Sequence, residues 1–135
     1  MPVSLEPVDH RSEQPKWVDM AEPEPVDGHQ HVRVETTAGS RADAEALARA
    51  AVEHRLAACA QVGGPITGFY RWEERIQADE EWLVVLKTAA DRLDALTAYL
   101  TEAHPYDVPE VVAVPVAGGS AEYLDWVVDE TRPVR

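Results

Sequence analysis

The chain has 135 residues, the size of one domain whose core is large enough to fold without disulfides or metals. Its formal net charge of −13, from 25 acidic and 12 basic residues, opposes contact with phosphate backbones and excludes nucleic acid as a partner. The single cysteine has no intrachain disulfide partner, no apolar run is long enough to span a membrane, and the N-terminus lacks the pattern of a secretory signal. We therefore expect a cytoplasmic protein that does not bind membranes.

Residues 1–28 differ in composition from the rest of the chain. They hold five of the ten prolines and seven acidic residues against two basic ones, with no hydrophobic period. Such a segment buries too little apolar surface to offset its ordering entropy. We predict an acidic, Pro-rich N-terminal tail over residues 1–28 and one domain over residues 29–135. Trp17, Val18 and Met20 are apolar exceptions in the tail, and their docking on the domain is an open question.

The first half of the domain predicts a strand, a helix and a long second strand. Residues 31–37 are rich in β-branched side chains and alternate as a strand does. Ser40 followed by Asp43 has the spacing of a capping box. The helix stripe that follows, at spacings of three and four, consists of Ala44, Leu47, Ala48, Ala51, Val52 and Leu56. Residues 58–72 predict a strand with a bulge or bend, because glycines interrupt it.

The middle of the domain predicts a charged turn, a buried strand and a second helix. Residues 73–79 are interpreted as the turn, and residues 81–88 as a strand that is buried on both faces. Thr88 and Asp91 have the spacing of another capping box. The helix that follows carries Leu93, Leu96 and Leu100 on one stripe. Pro105 ends this helix, since proline lacks the backbone donor that a helix needs.

The last elements complete an α+β, ferredoxin-like order. Residues 111–116 predict the fourth strand, in which Pro115 indicates an edge position or a bulge. Ser120 is placed to cap a final helix whose apolar face is formed by Tyr123, Leu124, Trp126 and Val127. The order β-α-β-β-α-β with an extra C-terminal helix is that of a ferredoxin-like sandwich. One short helix is too little to cover the second face of the sheet, so the pattern predicts that other copies of the chain cover it.

The connector over residues 104–110 concentrates an imidazole, a phenol and two carboxylates between two prolines. A short connector does not need this chemistry, so it is the first candidate site. The alternative is a helix stop whose polar groups satisfy backbone carbonyls or a neighbouring chain. Glu80 is either part of a solvated turn or joins Glu110 and His104 in a carboxylate–imidazole site suited to Zn or Cu.

Four further side chains are candidates for a site. Cys59 is most simply a small buried hydrophobe, and alternatively a thiolate ligand or nucleophile that needs a nearby cation. Lys87 ends the apolar strand and is the natural cation, unless its ammonium reaches solvent past the strand end. Tyr70 and Trp72 share one strand face, either as packing or as the wall of a small-molecule cleft between subunits.

Five segments in this order resemble the CutA divalent-ion-tolerance family: residues 55–59, 70–73, 86–88, 104–110 and 123–126. The resemblance covers about residues 31–130. It implies a ferredoxin-like subunit in a PII-like homotrimer, clefts between subunits, and a link to divalent-cation tolerance, copper in particular. The family resemblance places candidate ligand-binding residues at Cys59, Tyr70, Trp72, Glu80, Lys87, Tyr106 and Glu110, and a candidate metal ligand at His104.

Two features of the sequence depart from the family pattern. Glu74 stands where the family commonly has glycine, so the turn there is built differently or this residue tolerates strain. Thr36 and Ala103 stand where some members carry a thiol and a second histidine that are associated with copper. His104 alone remains of that set, and a lone imidazole with carboxylates is a poor copper site. The resemblance therefore implies no certain cofactor, and it gives only weak support for a divalent cation such as Cu or Zn.

Three functional hypotheses follow. The first is a non-enzymatic, homotrimeric, copper-linked divalent-cation tolerance protein with a regulatory role or a small ligand or metal ion in the intersubunit cleft; no catalytic residue is assigned. The second is an enzyme whose intersubunit cleft uses Lys87 and His104 for proton transfer. The third is a purely structural trimeric assembly module, in which the same residues form hydrogen bonds across interfaces.

Overall fold

The structure is a computed structural model that describes residues 29–133, so the predicted tail lies outside the described residues. The elements, in chain order, are β1 (His31–Ala38), α1 (Arg41–Glu53), β2 (Cys59–Trp72), β3 (Arg75–Ala89), α2 (Leu93–Ala103), β4 (Val112–Pro115) and α3 (Ala121–Glu130). A single 3₁₀ turn over Ala90–Arg92 joins β3 to α2. This order confirms the ferredoxin-like α+β prediction, including the additional C-terminal helix.

The four strands form one antiparallel sheet in the order β2-β3-β1-β4. Helices α1 and α2 lie on one face, and the core between helices and sheet is fully buried at Val32, Val34, Leu56, Val84, Leu86, Leu96 and Leu100. Apolar burial of this kind is the main stabilising contribution, at about 25 cal/mol per Å² removed from water. Strand β4 lies at an edge of the sheet, as Pro115 predicted.

The second face of the sheet, which we term the open face, is covered only at one end. Helix α3 lies there: Val127 is 1% exposed, and the Leu124 carbonyl lies 3.0 Å from His31 Nε2. Leu124 of the predicted apolar face of α3 is half-buried, whereas Tyr123 and Trp126 are exposed and contact each other with ring centroids 5.6 Å apart. Most of the open face therefore has no covering layer within the described residues.

Strand β3 begins six residues earlier than predicted, at Arg75 instead of residue 81. The predicted charged turn over residues 73–79 was wrong: the turn comprises only Glu73 and Glu74, whose φ angles are 49° and 65°. Positive φ at both central positions matches the twist of a two-residue hairpin. The far ends of β2 and β3 thus form a two-stranded ribbon, in which residue 76 pairs with residue 71 and residue 78 with residue 69. The charged side chains of this ribbon face solvent, and for this reason the sequence of residues 73–79 resembled that of a loop.

The bulge predicted in β2 is confirmed, with a register shift between Gly63 and Ile66 and a cis peptide before Pro65. The first helix ends at Glu53, so Leu56 is not on its stripe as predicted. Instead the chain reverses at Arg55, which has a φ of 56°, and turns the Leu56 side chain into the core.

The two predicted capping boxes have different outcomes. Ser40 caps α1 by accepting a 3.1 Å hydrogen bond from the Asp43 backbone N–H. The second box was wrong, because Thr88 lies inside β3 and donates its hydroxyl to the Leu56 carbonyl at 2.7 Å. Asp91 instead accepts two hydrogen bonds from the Arg132 guanidinium, at 2.6 and 2.8 Å, which ties the C-terminal segment to the start of α2.

Candidate functional site

The connector between α2 and β4 is fixed by its histidine. His104 ends α2 and is 6% exposed, and its Nε2 lies 2.6 Å from the Thr37 carbonyl of β1. Its Nδ1 accepts a 3.1 Å hydrogen bond from the Tyr106 backbone N–H. The imidazole therefore bridges the end of β1 and the start of the connector.

These bonds define the protonation state of the imidazole. Burial lowers the pKa of His104, while the bond to the Thr37 carbonyl and the charge of Asp43 oppose that shift without cancelling it. A neutral ring that donates from Nε2 and accepts at Nδ1 satisfies both partners. Neither nitrogen then has a free lone pair for a metal ion.

The phenol of the connector lies against the loop that follows β1. The Tyr106 ring packs on the His104 ring with centroids 4.6 Å apart. A Cβ atom on Gly39 would lie 2.7 Å from the Tyr106 hydroxyl oxygen, so any larger residue would displace the phenol from this position. Gly39 is thus a positioning residue that the sequence reasoning did not identify.

Tyr106 faces a group of acidic side chains from the ribbon. We term the set Tyr70, Asp79, Glu81, Tyr106 and Glu110 the tyrosine–carboxylate cluster. The Tyr70 hydroxyl donates a hydrogen bond to Asp79. The Glu81 carboxylate lies over Gly68, where a Cβ atom would come within 2.6 Å of it.

The pKa values of the cluster report a negative environment. The hydrogen bond to Asp79 raises the pKa of Tyr70 to about 12. Desolvation of its carboxylate raises the pKa of Glu110, and the charges of Glu81 and Glu35 raise it further. The pKa of Tyr106 is raised by burial and then by neighbouring acids, Glu81 first among them. These electrostatic interactions show that the connector lies beside the ribbon. The negative charges that surround the cluster favour a bound cation over a bound anion.

Two predicted members do not join this cluster. Glu80 is exposed and pairs with Thr67. Successive strand side chains point to opposite faces, so Glu80 is directed away from its neighbours Asp79 and Glu81. Trp72 is half-buried at the end of the ribbon, where it pairs with Arg75. The carboxylate that interacts with Tyr106 and Glu110 is therefore that of Glu81, and not that of Glu80 as the sequence predicted.

Cys59 and Lys87 form a second group at the other end of the open face. They are paired across β2 and β3. Cys59 Sγ lies 3.3 Å from the Tyr123 hydroxyl, a bond that raises the pKa of Tyr123 to about 12. Lys87 Nζ donates to the Gln61 side-chain oxygen at 3.3 Å. Cys59 is thus half-buried beside a phenol, and the lysine head is held by a neutral amide.

Lys87 and His104 are far apart within one subunit. Lys87 pairs with Arg33 of β1, whereas His104 binds the carbonyl of Thr37. Four residues of strand separate these positions, which corresponds to roughly 13 Å at about 3.3 Å per residue. The two groups cannot exchange a proton directly inside one subunit.

A divalent cation does not fit the described residues as a preformed chelate. No group of three or more His, Cys, Asp or Glu residues within residues 29–133 is arranged to hold a metal ion. The imidazole nitrogens of His104 are both engaged, and Cys59 is paired with Tyr123 at the far end of the sheet. The acidic side chains of the cluster offer oxygen ligands that suit hard cations, but they are not convergent enough for a chelate.

The chain was compared with known proteins by sequence and by structure. The family model of the CutA1 divalent ion tolerance protein matches residues 32–130. The divalent-cation tolerance protein CutA of Thermus thermophilus is 41% identical over 95 residues, which cover 70% of this chain and 92% of that protein. The chloroplastic protein CutA of Arabidopsis thaliana is 40% identical over 99 residues, 73% of this chain and 54% of that protein.

The fold comparison agrees with the sequence comparison. The crystal structure of CutA1 from Oryza sativa superposes with a TM-score of 0.75 at 38% identity, covering 77% of this chain and 95% of that one. The chain spans about half the length of the plant and mammalian relatives that it matches first. Among the described residues, none of the helices has the length and apolar character that crossing a membrane requires.

Proposed function

This chain belongs to the CutA1 divalent ion tolerance family, and we propose that it acts as a non-enzymatic homotrimer that links divalent cations to a regulatory or small-ligand response. In this proposal the subunits join through the ribbon and the open face. The tyrosine–carboxylate cluster attracts cations at the resulting clefts. A cytoplasmic location is part of the same proposal.

The observation that carries the assembly is the exposure of large apolar side chains on the ribbon. Phe69 is 74% exposed and Ile76 is 69% exposed. Strand pairing puts residue 69 opposite residue 78 and residue 71 opposite residue 76, so both apolar side chains lie on one face of the ribbon. A two-stranded ribbon is marginally stable in water by itself. Contact with other copies would bury these side chains and stabilise the ribbon.

The two edges of the sheet support the same assembly. Strand β4 is an edge strand whose Val112 and Val114 are exposed, and β2 is the other edge. Edge strands present unpaired backbone donors and acceptors that are commonly satisfied by pairing. Association of copies around a common axis would pair such edges and also cover the open face.

The acidic character of the cluster supports the cation link. Two hydroxyls and three carboxylates share the space between ribbon and connector, and the raised pKa of Glu110 reflects mutual repulsion as well as desolvation. A divalent cation relieves such repulsion. We therefore propose electrostatic attraction at the cluster, with His104 in a structural role and no preformed copper site within one subunit.

The structure offers no support for proton transfer between Lys87 and His104 in one subunit, since they are roughly 13 Å apart along β1. This separation bears only on proton transfer within one subunit, and the proposal of a non-enzymatic role is supported instead by the names of the matched relatives. The names of the matched relatives describe tolerance of divalent cations and no reaction.

The assembly is tested by placing a charge on the ribbon. Phe69→Glu should disrupt the trimer, because the interface would have to bury an unpaired carboxylate. The matched control is Val52→Glu on α1, whose side chain is 40% exposed outside the proposed interface. Light scattering after gel filtration measures the mass of each variant. A trimeric Phe69→Glu protein would contradict the proposed interface.

The cation link is tested by two adjacent charge removals. Glu81→Gln should weaken Zn²⁺ binding about fivefold, the effect of roughly 1 kcal/mol from one nearby charge in a wet site. Glu80→Gln removes the same charge from the other face of β3 and should leave binding unchanged. Isothermal titration calorimetry measures both affinities. Equal losses in the two variants would show that only net charge matters and would exclude the cluster as the site.

A further inference from the structure

A cavity of about 190 Å³ lies between α3 and the sheet, at the covered end of the open face. Its apolar wall is formed by Val116, Leu124 and Val127. This volume is smaller than the roughly 300–1,000 Å³ of sites that hold drug-sized ligands. The cavity therefore suits one large side chain better than a cofactor.

The charged side chains of the lining are basic. His31, Arg33 and Lys87 line the cavity, and none of its lining residues is acidic. This is unusual in a chain with 25 acidic and 12 basic residues. Within the described residues, Arg33 pairs with Glu35 at 2.9 Å, whereas Lys87 is held only by the neutral Gln61 amide. An apolar occupant that carries negative charge beside it matches this lining.

The chain itself supplies an occupant of that chemistry. Residues 1–28 lie outside the described residues and join the domain two residues before His31, which lines the cavity. They carry seven acidic residues against two basic ones, and Trp17 is their one aromatic side chain. The acids that follow this tryptophan on the way to the domain are Asp19, Glu22, Glu24 and Asp27.

We propose that Trp17 docks in this cavity and that the acidic residues after it lie along Lys87 and Arg33. Thirteen residues lie between Trp17 and His31, and the fourteen residue steps that join the two reach at most roughly 46–50 Å, ample for a return to the sheet. Covalent attachment makes the encounter intramolecular, at an effective concentration on the order of millimolar. Aromatic anchoring in an apolar pocket with a charged rim is a common mode of recognition.

Hydrogen–deuterium exchange of the full chain tests the docking. Trp17→Ala should accelerate exchange of the amides in residues 116–128 roughly threefold or more, because the cavity walls lose their occupant. Trp17→Phe should retain most of the protection, since an aromatic ring is kept. Leu5→Ala is the matched control, an apolar truncation elsewhere in the same tail, and should leave exchange unchanged.

A second variant tests the charged rim. Lys87→Gln should speed exchange over residues 116–128 in the full chain and should add little to Trp17→Ala, because both changes remove the same docked state. Unchanged exchange in Trp17→Ala would overturn the proposal. Faster exchange confined to the ribbon, or to the groove that Val52 of α1 and Val62 of β2 line, would place the tail elsewhere and would also overturn the proposal.

Discussion

Replacing His104 by alanine is expected to lower the free energy of unfolding by about 2–4 kcal/mol. The imidazole makes two bonds to backbone groups, 2.6 Å to the Thr37 carbonyl and 3.1 Å from the Tyr106 N–H. Each contributes about 1 kcal/mol net, and a buried partner left unsatisfied costs about 1–3 kcal/mol. The side chain is 6% exposed, so water does not readily replace it.

The pH dependence of this effect has a defined sign. Burial lowers the folded-state pKa of His104 below its unfolded value of about 6.5. The unfolded chain therefore binds the proton first as the pH falls. The contribution of the neutral imidazole is fully present above about pH 6.5 and is lost as the pH falls towards the folded pKa. The difference in stability between wild type and His104→Ala should shrink on acidification.

Chemical denaturation at pH 7.5 and at pH 5.5 measures both quantities. Chain concentration must be equal in all samples, because the stability of an assembled protein depends on it. Glu102→Ala, which truncates an exposed side chain two residues before His104 in α2, is the matched control and should change stability by less than about 0.5 kcal/mol. Two results would refute the structural role of this imidazole. One is an unchanged free energy of unfolding in His104→Ala at pH 7.5, and the other is a stability difference from wild type that grows on acidification.

Three further outcomes follow from local geometry. Glu74→Gly should raise the free energy of unfolding by up to about 1 kcal/mol, because the φ angle of Glu74 is 65°. Glu102→Gly, on the exposed face of α2, should lower it by about as much. If both substitutions shift the thermal unfolding midpoint in the same direction, the described turn is contradicted. Thr88→Val should lower the free energy of unfolding by about 1–3 kcal/mol, because it removes a buried 2.7 Å hydrogen bond. An unchanged free energy of unfolding in chemical denaturation would contradict that bond. Asp79→Asn should lower the pKa of Tyr70 from about 12 towards 10, and an unchanged phenolate absorbance titration would contradict the contact.

Much of the fold was predictable because its elements carry strong local signals. The strand over residues 31–37, the edge position of Pro115 and the bulge at the β2 glycines all followed from side-chain alternation or backbone restriction. The β3 half of the ribbon was missed because Ile76 and Ala78 are the only apolar residues in 75–81, too few for a clear hydrophobic alternation among the charged ones. The strained turn at Glu74 was predicted only through the glycine that the family commonly has there, because left-handed backbone usually requires glycine or asparagine.

The site was less predictable than the fold, since it depends on strand register. Placing the start of β3 at residue 81 left Glu80 and Glu81 equivalent in the sequence. Once the strand begins at Arg75, alternation assigns Glu81 to the face of Asp79 and Glu80 to the opposite face. The satisfied nitrogens of His104 depend on its distance to Thr37, which lies 67 residues earlier in the chain.

The most direct test of the proposed assembly is native mass spectrometry of the full chain at micromolar concentration. The exposed Phe69 and Ile76, the sheet edges and the uncovered open face together predict self-association of the 14.9 kDa chain, and the family resemblance sets the proposed number of copies at three. A monomer under these conditions would contradict the account, because the ribbon would then keep its apolar side chains in water.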